Sequence, residues 1–272
     1  MMLTFVNVIW GARCGETARR VLLGETRTRG HAYSVRRGRE SAYDRKAPHG
    51  LPPPSLVPTN PFDLWMQRNY PQLRFERYAD DVIVHCRTEK QAQEVKEAIA
   101  RRMQECRLEL HPEKTKIVYC KDDDRRERYA QEKFDFLGYT FRPRSSMSRK
   151  GKHFINFSPA ISEKASKAIR RGIRDWKLHL RSDTSLENLS RMFNPIIRGW
   201  FQYYGRFYRS GLYPLRWYLN RVFVRWAARK YKKLKHRFRR AEQWLLRVAQ
   251  RTPQLFAHWQ LGARHGSAMG AV

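Results

Sequence analysis

From Phe62 onward the apolar residues fall into readable periods, and before it they do not. "FDLWMQRNYP" reads as a short helix that Pro71 ends, because proline cannot continue an α-helix interior. Between Arg74 and Arg87 the period shortens. Phe75, Arg77 and the Val82-Ile83-Val84 run favour two short strands, with Asp80 and Asp81 at the turn between them. Thr88 follows as an N-cap with Gln91 three residues on, the capping-box pattern. Ala92, Val95, Ile99, Met103 and Cys106 then recur at helical spacing, while Glu89, Lys90, Glu94, Lys96, Glu97 and Arg101 fill the wet face. "LELHPEKTKIVYC" predicts a strand, a turn at His111-Pro112 and a second strand through Val118. "KFDFLGYTFRPR" alternates aromatic and polar residues and predicts a hairpin with its bend at Gly138.

After residue 158 the pattern is helical. A first helix opens near Pro159 and carries Ile161, Ala165, Ala168, Ile169, Ile173, Trp176 and Leu180 as its stripe. A second starts at the cap candidates Asp183 to Ser185 and breaks at Pro195, resuming as "IIRGWFQYYGRFY". A third covers Leu215 to Tyr231 and a fourth Leu234 to Gln250. Residues 1–60 hold no sustained period, are rich in Arg, Gly, Ser and Pro, and read as irregular or disordered. "MMLTFVNVIWGA" is apolar but lacks the basic start of a signal peptide, and no apolar run reaches transmembrane length.

Charge divides the chain further. Lys and Arg number 56 against 25 acids among 272 residues, a net +31 that calls for a polyanionic partner. Residues 61–143 hold seventeen basic and sixteen acidic side chains, whereas residues 144–272 hold twenty-nine and five, a net +24. "RPRSSMSRKGKH", Arg142 to His153, reads as the loop between a near-neutral module and a cationic one. None of the four cysteines forms a C-x-x-C pair, which argues against a zinc finger, and their use suits a reducing cytoplasm. Asp122-Asp123-Asp124 has no spaced ligands around it and reads as a solvated loop.

Strands avoid Asp, and adjacent carboxylates repel, so Asp80 and Asp81 need a reason. A divalent cation supplies one. Mg²⁺ takes hard oxygen ligands and completes its shell with water and phosphate, and a hairpin tip presents carboxylates rigidly. In-line displacement at phosphorus uses two such ions about 3.5–4 Å apart. The sequence-based expectation is therefore a catalytic and metal-binding tip at Asp80 and Asp81.

"YADD" at Tyr78 to Asp81, flanked by strands, resembles the tip motif of reverse transcriptases. "LHPEKTKIV" and "FDFLGYTF" follow in the order seen in group II intron-encoded proteins, and "NPIIRGWFQYYG", Asn194 to Gly205, is similar to their maturase-specific domain. The resemblance runs from Phe62 to Leu261. It implies an α+β fold: residues 61–143 as the C-terminal part of an antiparallel palm, 144–158 as a linker, and 159–272 as a helical thumb and maturase domain. It implies that Asp80 ligates metal with Asp81 beside it, and that Tyr78 lies beneath the primer end. Lys114 faces phosphate in this scheme, and Phe136, Leu137 and Gly138 grip the primer strand. The implied cofactor is Mg²⁺. The implied partners are group II intron RNA and a DNA target or primer, with no membrane.

The pattern also departs from the family. The upstream palm aspartate, in a D-x-x-x-x-F-type motif, is missing, as are the fingers segments, and "PPPSLVPTN" has the look of an out-of-frame reading of the usual motif. The expectation is an N-terminally truncated or frameshifted palm that does not polymerise DNA alone. It would carry an uncovered sheet edge, or be completed by a separate chain supplying the fingers and first palm half. Two other readings stand beside the enzyme. One is a non-catalytic RNA-binding maturase fragment. The other is a metallonuclease, which lacks any H-N-H motif here.

For RNA, cationic side chains supply affinity, and aromatic or arginine planes stack on bases. Residues 144–272 hold six of the eight tryptophans. The run Arg225 to Trp244 interleaves Trp226, Tyr231, Phe238 and Trp244 with basic residues. Arg198, Arg225, Lys230, Lys232, Lys233, Lys235, Arg237, Arg239 and Arg240 are the expected RNA contacts. Trp200, Tyr203 and Tyr204 share one helical face and read as core.

Overall fold

The computed structural model describes residues 3–10 and 61–260, apart from 125, 126 and 149. The expected disorder of residues 11–60 lies outside the described residues. The chain divides into two compact units, Met1–Pro159 and Ala160–Val272.

In the first unit Leu3–Trp10 forms strand β1, Pro61–Asn69 helix α1, Arg74–Tyr78 and Asp81–Cys86 strands β2 and β3, and Glu89–Glu105 helix α2. Short strands β4 (Glu109–Leu110) and β5 (Lys116–Tyr119) follow. The Thr88 hydroxyl accepts from the Gln91 amide at 3.2 Å, and the Gln91 side chain reaches back to accept from the Arg87 amide at 2.8 Å. This is the capping reciprocity expected, shifted one residue outward on its return arm. Ala92, Val95, Ile99 and Met103 bury against Val82, Val84 and Cys86 of β3 and Met66 of α1. Removing Ile99 from water contributes roughly 1.5–3 kcal/mol. Cys106, placed on that stripe by spacing, is instead exposed at the helix C-cap.

The order of the five-stranded sheet is β2-β3-β1-β4, with β5 also paired to β1. The β2–β3 hairpin is antiparallel, but β1 runs parallel to β3, β4 and β5, so the sheet is mixed rather than purely antiparallel. Leu3–Trp10, expected to be irregular, is thus the central strand, and it pairs the β3 edge expected to lie open. Strand β3 suits that position. Val82, Ile83 and Val84 are all buried, the unbroken apolar run of a strand covered on both faces. Strands β4 and β5, joined through the predicted turn, each pair with β1.

Strands β6 (Phe134–Phe136), β7 (Tyr139–Met147) and β8 (His153–Ile161) make a second sheet. Phe134 stacks on Phe141 with ring centroids 4.8 Å apart. Residues 144–158, expected to be a linker, are therefore mostly strand. Only the turn at Ser148–Lys152 remains, closed by the Ser148 amide on the Lys152 carbonyl at 2.8 Å. Pro159, expected at a helix start, belongs to β8.

The second unit is helical: α3 (Glu163–Asp175), α4 (Leu186–Tyr204), α5 (Tyr213–Lys230) and α6 (Phe238–Arg251). The N-caps of α3 and α4 are Ser162 and Ser185, each accepting from the amide three residues on at 3.1 Å. Pro195 does not break α4. It sits on the exposed face, while Phe193, Ile197 and Phe201 hold the opposite face in the core. Gly205 is the C-cap of that helix, and a Cβ there would meet the Phe201 carbonyl oxygen at 2.4 Å, so the position calls for glycine.

The segment after α6 folds back into this core, with Phe256, His258 and Trp259 all buried. Asn194 accepts from the Ala257 amide and donates to the Leu255 carbonyl, at 3.0 and 2.7 Å. The Asn220 carbonyl accepts from the Trp259 indole at 3.0 Å and lies 2.9 Å from His258 Nε2. Among the described residues no helix is long and apolar enough to cross a membrane.

Candidate metal tip and nucleic-acid interface

The β2–β3 hairpin sets the acidic tip. Tyr78 pairs with Asp81, so Ala79 and Asp80 are the whole turn. Ala79 has φ 53°, and a two-residue connection that matches strand twist needs a positive φ at its first position. Asp80 and Asp81 are adjacent and half-buried there, which brings two carboxylates and the Tyr78 ring to one end of one hairpin.

Two residues that sequence reasoning missed hold this tip in place. Arg77 forks onto Asp63 of α1, with Nε to Oδ1 at 2.6 Å and Nη2 to Oδ2 at 2.8 Å. Its third nitrogen, Nη1, donates to the Ala79 carbonyl at 3.1 Å. The bond from Asp63 holds the Arg77 guanidinium above its ordinary range, against the opposing pull of burial. Arg77 therefore ties helix to turn with its charge matched by Asp63. No local spacing signals a pair fourteen residues apart across two elements.

The body of β3 is dry. Burial, with the Arg74 charge added, pushes His85 down to about 4, so it is neutral at pH 7. Burial pushes the Cys86 thiol up to about 12, which leaves it a small apolar residue. The strand beside β3 is β1, in register Phe5 with Asp81, and its residues "LTFVNVIW" contain no carboxylate. Among the described residues no three His, Cys, Asp or Glu side chains group as metal ligands. Two neighbouring carboxylates match a single hydrated Mg²⁺, which keeps most of its water. A two-ion centre needs further oxygen ligands beside them.

The other expected contacts are spread over both units. Lys114 is exposed between β4 and β5. Phe136 is 2% exposed, its ring packed within the second sheet. Leu137 and Gly138, with φ 50° and 78°, form the half-buried two-residue turn between β6 and β7. In the helical unit Arg198, Arg225, Lys232, Lys233, Lys235, Arg237, Arg239 and Arg240 are exposed. Lys230 is half-buried; its ammonium donates to the Ser182 carbonyl at 2.8 Å and lies 5.7 Å from the Trp226 ring centre. One of its three donors is thereby tied to the fold. Trp226 is fully buried and donates to the Arg181 carbonyl at 2.9 Å, a core residue.

Residues 55–141 match the family model "Reverse transcriptase (RNA-dependent DNA polymerase)". Residues 166–244 match "Group II intron, maturase-specific domain". No curated protein and no solved structure matches the chain.

Proposed function

Because the chain joins a reverse-transcriptase segment to a group II intron maturase-specific segment, it is by family an intron-encoded reverse transcriptase and maturase, and we propose that its working half is the helical one. These two segments imply binding to intron RNA and nucleic-acid substrates. In the proposed role, the cationic helical unit holds a folded group II intron through its phosphates and assists splicing in the cytoplasm. The acidic tip binds Mg²⁺ weakly and does not copy a template by itself.

One observation carries the second half of this reading: β1, the strand beside the tip, brings no carboxylate. Reverse transcriptases generally use divalent metal ions. Asp80 and Asp81 would hold one here, where the ion would offset the mutual repulsion of the carboxylates and take up phosphate oxygen. Tyr78 would lie under a primer end, and Leu137 and Gly138 would approach a primer backbone. A DNA target or primer, and a second chain supplying the fingers and first palm half, complete the proposal.

Primer extension tests it. The purified chain, given an annealed RNA template, DNA primer, deoxynucleotides and Mg²⁺, is expected to add no nucleotide. Extension that disappears in Asp80→Ala would show a complete copying centre and sink the claim.

A further inference from the structure

Helix α5 runs Tyr213 to Lys230 without a single acidic residue. Its outward ridge carries Tyr213, Trp217, Arg221, Arg225 and Arg229, at four-residue steps, all exposed. Trp217 is 62% exposed and Tyr213 51%, while Trp226 on the inner face of the same helix is fully buried. A helix rises 1.5 Å per residue, so the ridge spans about 24 Å, with aromatic rings over its first turn and guanidinium groups over the rest.

We propose that this ridge is a binding track for an unpaired stretch of RNA, with a base stacked on Trp217 and another on Tyr213, and the following backbone laid along Arg221, Arg225 and Arg229. This rests on the RNA-binding role proposed above and adds the kind of RNA and the surface that takes it. Three features support that occupant. Aromatic faces stack on any base, but only where the base is free of a duplex. Planar guanidinium groups pair with phosphate through fixed forks. A helix with four arginines, one lysine and no acid complements a polyanion and repels a basic partner. A protein partner docking on Trp217 would instead need an apolar surround, and the ridge positions next to it in the C-terminal direction are arginines.

The test uses the full chain, with a twelve-nucleotide single-stranded RNA and the same RNA annealed to its complement. Trp217→Leu keeps an apolar side chain but removes the stacking face. It is expected to weaken single-strand binding by roughly 5- to 150-fold, the range for one lost base stack, and to leave duplex binding within twofold. Trp217→Phe should recover part of the loss. Because Trp217 is exposed, the melting temperature should stay where it was, which separates lost stacking from lost fold. Replacing Arg221 and Arg229 by Gln should lower the salt slope for the single strand by about 0.7 each. Equal effects of Trp217→Leu on both RNAs, or no effect on either, overturn the track. If intron RNA still binds with its full salt dependence, the maturase reading survives that failure. A chain that binds no RNA at all overturns both.

Discussion

The fork between Arg77 and Asp63 is a measurable hinge-pin for the acidic tip. Two charge-assisted bonds of 2.6 and 2.8 Å join side chains that are 23% and 14% exposed. A surface pair is worth about 0–1 kcal/mol and breaking a buried one costs about 3–5 kcal/mol. Partial exposure and bidentate geometry place this one between them, at about 2 kcal/mol. Arg77→Met leaves the Asp63 carboxylate mostly buried and unpaired. Asp63→Leu leaves the guanidinium with only the Ala79 carbonyl. Each single change should therefore cost about 2–3 kcal/mol, and the double change scarcely more than either, giving a coupling of about 2 kcal/mol in a double-mutant cycle. Urea unfolding reads the totals. With a slope near 1–3 kcal/mol per molar, the midpoint shifts by about 1 M. Amide exchange at Ala79 to Val84 locates the effect, and those amides should lose protection while α5 keeps its own. A coupling below about 0.5 kcal/mol, or equal loss of protection in α5, would refute the claim that α1 aims the tip.

Acid should weaken the helical unit through His258, which burial pushes down to about 3, with the Arg216 charge assisting. The folded unit holds this ring neutral, whereas the unfolded chain binds a proton below about 6.5, so stability falls as pH drops from about 6.5 toward 3. His258→Gln, which can still reach Asn220, should flatten that stretch of a stability-against-pH curve; an unchanged slope would count against the burial argument. Replacing Lys232, Lys233 and Lys235 together, all exposed and outside the core, should reduce the salt dependence of RNA binding without lowering the melting temperature. A slope equal to that of the unaltered chain would remove them from the interface.

The acidic hairpin was legible because everything that defines it is local: two strand-forming runs, a two-residue turn and a capped helix directly after. The helical unit was legible in outline for the same reason, since serine caps and apolar spacing act within a few residues. What escaped depends on distant partners. Leu3–Trp10 becomes a strand only because β3, β4 and β5 offer it hydrogen bonds, and no nearby turn announces it. The "RPRSSMSRKGKH" stretch looks like a loop by composition, yet most of it is held as strand by pairing in the β6-β7-β8 sheet. Pro195 marked a break that core burial on the opposite face of α4 overrides. In α5 the apolar residues surround the helix nearly all the way round, so spacing could not tell the buried Trp226 from the exposed Trp217.

Recognition of a folded group II intron through its phosphates is the centre of the account, and one binding series addresses it most directly. The full chain is titrated with a transcribed group II intron core and with a folded RNA of equal length and unrelated architecture, from 50 to 200 mM salt in Mg²⁺. The expected outcome is tighter binding to the intron at every salt concentration, with affinity for both falling steeply as salt rises. Equal affinity for the two RNAs, or an intron affinity that stays flat across the series, would contradict it.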